Sequence, residues 1–104
     1  MKAYLIDANS KTVSPVELAD GLAGIRTLIG FDSVDSDEID VSGDRLFFDE
    51  RCFLRDQTGQ CRFKLDNLAP VADKAVVAGS SDDGAILKDA AADLATLERR
   101  ITWL

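Results

Sequence analysis

Four consecutive apolar residues, Ala75-Val76-Val77-Ala78, enclosed by Lys74 and Gly79, constrain this chain more than any other feature. The run is too short for a buried helix and has no polar residue to turn toward water. It reads as a strand covered on both faces, and such a strand belongs in the middle of a sheet. At 104 residues the chain has material for one hydrophobic core, so the other elements must be arranged around this strand.

Those elements can be placed from their periodicity and punctuation. Residues 2–7 alternate around Tyr4, Leu5 and Ile6 and predict a first strand. Asn9-Ser10-Lys11 is a turn, and residues 12–18 a second strand. Pro15 cannot donate to a ladder, so that strand should lie at an edge or end early. Residues 20–30 predict a helix capped by Asp20, with Leu22, Ile25, Leu28 and Ile29 as its apolar stripe and Gly30 as its left-handed stop. A competing reading starts this helix at Ser14, with Pro15 in the first turn and Glu17 closing a capping box. Residues 31–41 and 45–53 predict two strands around a turn at Ser42-Gly43-Asp44, with Leu46 and Phe48 on one face and Phe47 and Asp49 on the other. Turns are expected at residues 57–60 and 80–84, with short strands over 61–65 and 85–87. A second helix is expected from Asp89 to about Arg100, turning Ala92, Leu94, Ala95, Leu97 and Ile101 inward. The apolar ending Ile101-Thr102-Trp103-Leu104 predicts a docked terminus, and the aromatics are expected to supply the core. The architecture this implies is α+β. It is a single two-layer domain over residues 1–104, a mainly antiparallel twisted sheet of about five strands with two helices on one face.

The charge is unevenly distributed. Residues 32–50 hold eight acids (Asp32, Asp35, Asp37, Glu38, Asp40, Asp44, Asp49 and Glu50) and one base, Arg45, which equals the whole net charge of −7. Acids and bases balance in the rest of the chain. Without a Lys/Arg cluster there is no electrostatic footprint for a phosphate backbone, which argues against direct nucleic-acid binding. No apolar run approaches the roughly 20 residues of a membrane span, and no signal-peptide pattern opens the chain, so the cytoplasm is the expected compartment and no membrane is involved. Cys52 and Cys61 are then expected as reduced thiols. With two cysteines and no histidine, neither a structural zinc site nor a histidine-activated nucleophile can be assembled. No catalytic residue, metal ligand or cofactor is assigned.

The acidic stretch has two readings: a contact surface, or a solvated hairpin whose charges guard a strand edge. A contact surface would suit a basic protein, a divalent cation, or a nucleic-acid-binding protein that accepts carboxylates in place of phosphates. Residues 35–40 alternate carboxylates as a calcium loop does, but lack the glycine at the bend and the closing glutamate. Arg51, Arg55, Arg62 and Lys64 either form an anion site or pair with neighbouring acids, and Cys52 in its apolar stretch reads as a structural cysteine.

The opening Lys2-Ala3-Tyr4-Leu5-Ile6-Asp7, the run Leu28-Ile29-Gly30-Phe31-Asp32, the motif Gly43-Asp44-Arg45-Leu46-Phe47-Phe48-Asp49-Glu50 and the later Ala75-Val76-Val77-Ala78-Gly79 together resemble a family of small uncharacterised domains. These domains occur in phage, plasmid and other mobile-element genomes. The chain departs from the family pattern at Arg51-Cys52 and in the segment up to Pro70. The resemblance implies a small α+β module and carries no functional residue across. The leading expectation is a noncatalytic module that turns the acids of residues 32–50 toward a basic protein partner. The alternatives are a small-ligand or divalent-metal domain, and a self-associating structural subunit (a homo-oligomer).

Overall fold

The computed structural model describes residues 1–19, 21–51, 61–81 and 86–104. The expectations at Asp20, Cys52, Phe53, Arg55, residues 57–60 and Gly84 lie outside them. Strand β1 (Lys2–Asp7) and strand β2 (Thr12–Glu17) form the first hairpin, and helix α1 (Leu22–Ile29) follows. Strands β3 (Val34–Glu38) and β4 (Asp44–Asp49) form the second hairpin. The chain continues through β5 (Arg62–Leu65), β6 (Val71–Ala72), β7 (Lys74–Ser81) and β8 (Ile86–Lys88) to helix α2 (Leu94–Arg100) and a last strand, β9 (Ile101–Trp103).

Six strands make the main sheet in the order β2-β1-β7-β4-β3, with β8 paired to the end of β7. A second sheet runs β6-β5-β9, and every pairing in both is antiparallel. As its composition demands, β7 lies at the centre, with Ala75, Val76, Val77 and Ala78 all fully buried. The strands on either side of it along the path, β1 and β4, both precede it in the chain. It enters between them at a corner where Asp73, at φ 66, leads the backbone from the small sheet into the large one. Asp73 holds that corner by donating its N–H to the Cys61 carbonyl and accepting the Ala8 N–H on its own.

The two faces of the main sheet carry separate cores. Tyr4, Ile6, Leu46, Phe48, Ala75 and Val77 pack with Phe63, Leu65 and Val71 of the small sheet and with Leu97 of α2. Ala3, Phe47, Val76 and Ala78 pack instead with Ile25 and Ile29 of α1. The α+β class and the mainly antiparallel sheet are as expected, but the helices cover opposite faces rather than one. The physical reason is β7: a strand apolar on both sides needs a cover on each. Trp103 packs edge-on against Phe63, ring centroids 6.2 Å apart, and Leu104 N–H donates to the Arg62 carbonyl, so the terminus is docked.

The starts of both helices differ from expectation. Helix α1 begins after Gly21, without a side-chain cap, and ends on Gly30 at φ 88. Helix α2 begins at Leu94 behind an Asp93 cap, whose carboxylate accepts the Thr96 N–H, and not at Asp89. The residues between are committed elsewhere: Asp89 accepts the Lys2 N–H, and Ala90 donates to the Lys2 carbonyl. Consequently Ala95 is exposed, while Leu97 is buried and Ile101 belongs to β9.

Candidate functional site

The acids of residues 32–50 lie on the β3–β4 hairpin and its flanks, and the hairpin sorts them. Its turn is built by Asp40, whose carboxylate accepts both the N–H and the hydroxyl of Ser42. The Ser42 hydroxyl oxygen in turn accepts the Asp44 N–H at 3.2 Å. Gly43 sits at φ +98, and a Cβ there would stand 3.0 Å from the Ser80 carbonyl, so this position is reserved for glycine. Val41, at the tip, is fully exposed.

Asp44 does not belong to any surface. It is 0% exposed, and its two oxygens accept the N–H groups of Ala91 and Ala92 at 2.8 and 2.9 Å. The carboxylate thus satisfies the amides of the segment leading into α2, where an unpaired group would be costly. Asp49 is 6% exposed at the end of β4 and accepts the Arg51 N–H. Both were expected among the exposed acids. Burial removes them from a contact surface, because β4 is flanked by β3 and β7 and covered on both faces.

Asp40 is half-buried and paired. Arg100 donates from Nη1 to Asp40 Oδ2 at 3.0 Å, from Nη2 to the Ile39 carbonyl, and from Nε to Asp66 at 2.9 Å. The Ser42 hydroxyl, ahead of Arg100, holds the Asp40 carboxyl below the ordinary aspartate range. Hydrogen bonding to Asp66, then to Asp40, raises the Arg100 guanidinium further. Arg100 therefore ties the hairpin tip to the β5 turn and to the end of α2. Nothing in the sequence marked it as the counter-ion, since 60 residues separate it from Asp40. Arg45, the one base within residues 32–50, bonds to Ser36.

Asp32, Asp35, Asp37, Glu38 and Glu50 remain, all exposed, and none forms an ion pair among the described residues. Asp35 and Asp37 extend the face of β3 that carries Phe48 and Leu46 on β4, whereas Glu38 stands opposite Arg45 on the other face. Because β3 is the last strand of the sheet, side chains on both of its faces reach one rim.

No protein-family model, curated protein or solved structure matches the chain. The site must be read from its own chemistry.

At the base of the hairpin a cleft of about 320 Å³ is lined by Gly30, Phe31, Asp32, Ser33, Asp49 and Arg51. Among the described residues no three cysteine or carboxylate side chains stand close enough to hold a metal ion together. No helix among them is long and apolar enough to cross a membrane. What the rim presents is a line of hydrogen-bond acceptors with negative charge. Same-side residues of a strand recur at about 6.7 Å, which sets the spacing of Asp35 and Asp37.

Proposed function

We propose that the chain is a noncatalytic binding module that presents the rim of β3 (Asp32, Asp35, Asp37, Glu38 and Glu50) to a basic surface on a partner protein. The observation that carries this reading is the division of the acidic stretch. Asp44, Asp49 and Asp40 are consumed by the fold, while five carboxylates stay exposed on one strand and its flanks without an internal counter-ion among the described residues. Concentrated like charge raises the energy of the compact state, and a complementary surface relieves that repulsion. A module of mobile-element type that inhibits a host or competitor protein is the sharpest form of the proposal, motivated by the resemblance of the four motifs described above.

The test compares pull-downs by the wild type and by a variant carrying Asp35→Asn, Asp37→Asn and Glu38→Gln. A partner retained by the wild type, lost from the variant and released by modest salt supports the reading. A partner held equally by both places function on another face. Asp40→Asn serves as the control, since it removes one charge from the turn and none from the rim.

A further inference from the structure

The outer edge of β3 is closed by side chains of its own hairpin. Two main-chain bonds, from Ile39 N–H to the Asp44 carbonyl and from Glu50 N–H to the Ser33 carbonyl, set the parity of the β3–β4 ladder. Residues 33, 35, 37 and 39 turn their peptide groups toward β4, and Val34, Ser36 and Glu38 turn theirs outward. Outward groups on a terminal strand are a template for another strand. The middle residue is already occupied on both sides. Ser36 N–H donates to Asp35 Oδ1 at 2.8 Å, and the Ser36 carbonyl accepts from Arg45 Nη2 at 3.0 Å. The Nε of the same guanidinium donates to Ser36 Oγ at 2.8 Å, which holds the Arg45 side chain across the edge.

The opposite edge is disarmed differently. Leu18 N–H bonds to the Met1 carbonyl, which sets the parity of β1–β2 and turns Val13, Pro15 and Glu17 outward. The middle residue of that row, Pro15, has no N–H to offer.

We infer that the two end strands of the β2-β1-β7-β4-β3 path are shut against strand addition, β2 by the missing donor of Pro15 and β3 by an Arg45–Ser36–Asp35 lock. The lock keeps the acidic edge from pairing with a second copy of the chain. Two copies meeting at β3 would also set Asp35, Asp37 and Glu38 against like charges, so the lock and the charges act in the same direction. A partner at this rim therefore meets side chains and not a free ladder. The inference stands on the hydrogen bonds and does not depend on the proposed function.

Amide exchange in the wild type is the first test. Of the three outward amides, Ser36 should exchange about tenfold more slowly than Val34 and Glu38, because among the described residues it alone has an acceptor. Equal rates would overturn the lock. The second test measures self-association by light scattering for Arg45→Met combined with Asp35→Ala, which removes the acceptor of the Ser36 N–H, and with Asp37→Asn and Glu38→Gln. This variant should associate about tenfold more tightly than the wild type, and adding Ser36→Pro should reverse the gain by removing the outward donor without touching β4. A folded variant that associates no more than the wild type overturns the inference, as does association that survives Ser36→Pro. Should Arg45→Met unfold the chain, Arg45→Lys in its place keeps the charge without the forked donors that hold the Ser36 carbonyl, and tighter self-association is again the result expected.

Discussion

The two strands of the acidic hairpin use one residue type for opposite purposes. On β4, Asp44 is sealed from water and spends both oxygens on main-chain amides of a segment nearly fifty residues later. On β3, Asp35 and Asp37 stand in solvent, and Asp35 reaches only the next amide along. An aspartate inside the sheet is a structural acceptor whose loss exposes unsatisfied donors. An aspartate on the rim is a charge, and its removal costs the fold almost nothing. Local density of acids thus says little about what each acid does, and position in the sheet decides it.

The contrast is broken most severely by Asp44→Ala. Two buried N–H groups lose their acceptor, and stability measured by urea unfolding should fall by about 3 kcal/mol. Asp44→Asn should recover part of that loss, since one oxygen remains to accept. Next comes Gly79→Ala in the same corner. Gly79 pairs with Asp44 in register, and a Cβ there would meet the Asp89 carbonyl at 2.2 Å. The main chain must move apart, and a loss of about 2 kcal/mol is expected in the same measurement.

Smaller effects are expected where the hairpin tip meets Arg100. Arg100→Met, which keeps the apolar stem, should cost about 1 kcal/mol, because both partner carboxylates are partly exposed. The pH dependence sharpens the point. Asp40 is held below its ordinary value of 3.8, so its contribution is fully present above that value and is lost as the pH falls through the lower folded-state value. Asp40→Asn should therefore flatten the acid limb of a stability–pH profile recorded below about pH 4. The smallest effect belongs to the rim. Asp35→Asn, Asp37→Asn and Glu38→Gln together should change stability by no more than about 0.5 kcal/mol at moderate salt. A slight gain at low ionic strength, from relieved repulsion, should fade as salt is added. A large loss from this triple variant would erase the distinction between the two strands.

Much of the fold was legible because the signals were local. Strand β1 came from its alternation, and the opposed faces of Leu46, Phe48 and Phe47 from the period of two. The end of α1 came from a glycine free to take positive φ. At the candidate site, locality failed. Asp32, Asp35, Asp37, Glu38 and Glu50 are exposed as a reading of charge alone would place them, but Asp40, Asp44 and Asp49 are not separable from them by type or spacing. The start of α2 was misplaced for a related reason. Asp89 is as good a cap as Asp93 by type, but its carboxylate is bound to the Lys2 N–H and the amides that it would cap, those of Ala91 and Ala92, are taken by Asp44.

The sequence by itself determined that one strand is buried on both sides, that Pro15 cannot donate to a ladder, and that the chain's excess charge lies within residues 32–50. Each follows from properties a residue carries with it: apolar surface, a missing donor, a formal charge. Only the tertiary structure decided that the two helices cover opposite faces, that Asp44 holds the entry to α2, that Arg100 closes on Asp40, and that Arg45 shuts the edge of β3. The last three are directional contacts of about 3 Å, most of them between residues far apart in the chain. Such contacts depend on where the packed core delivers both partners, which no single stretch of sequence contains.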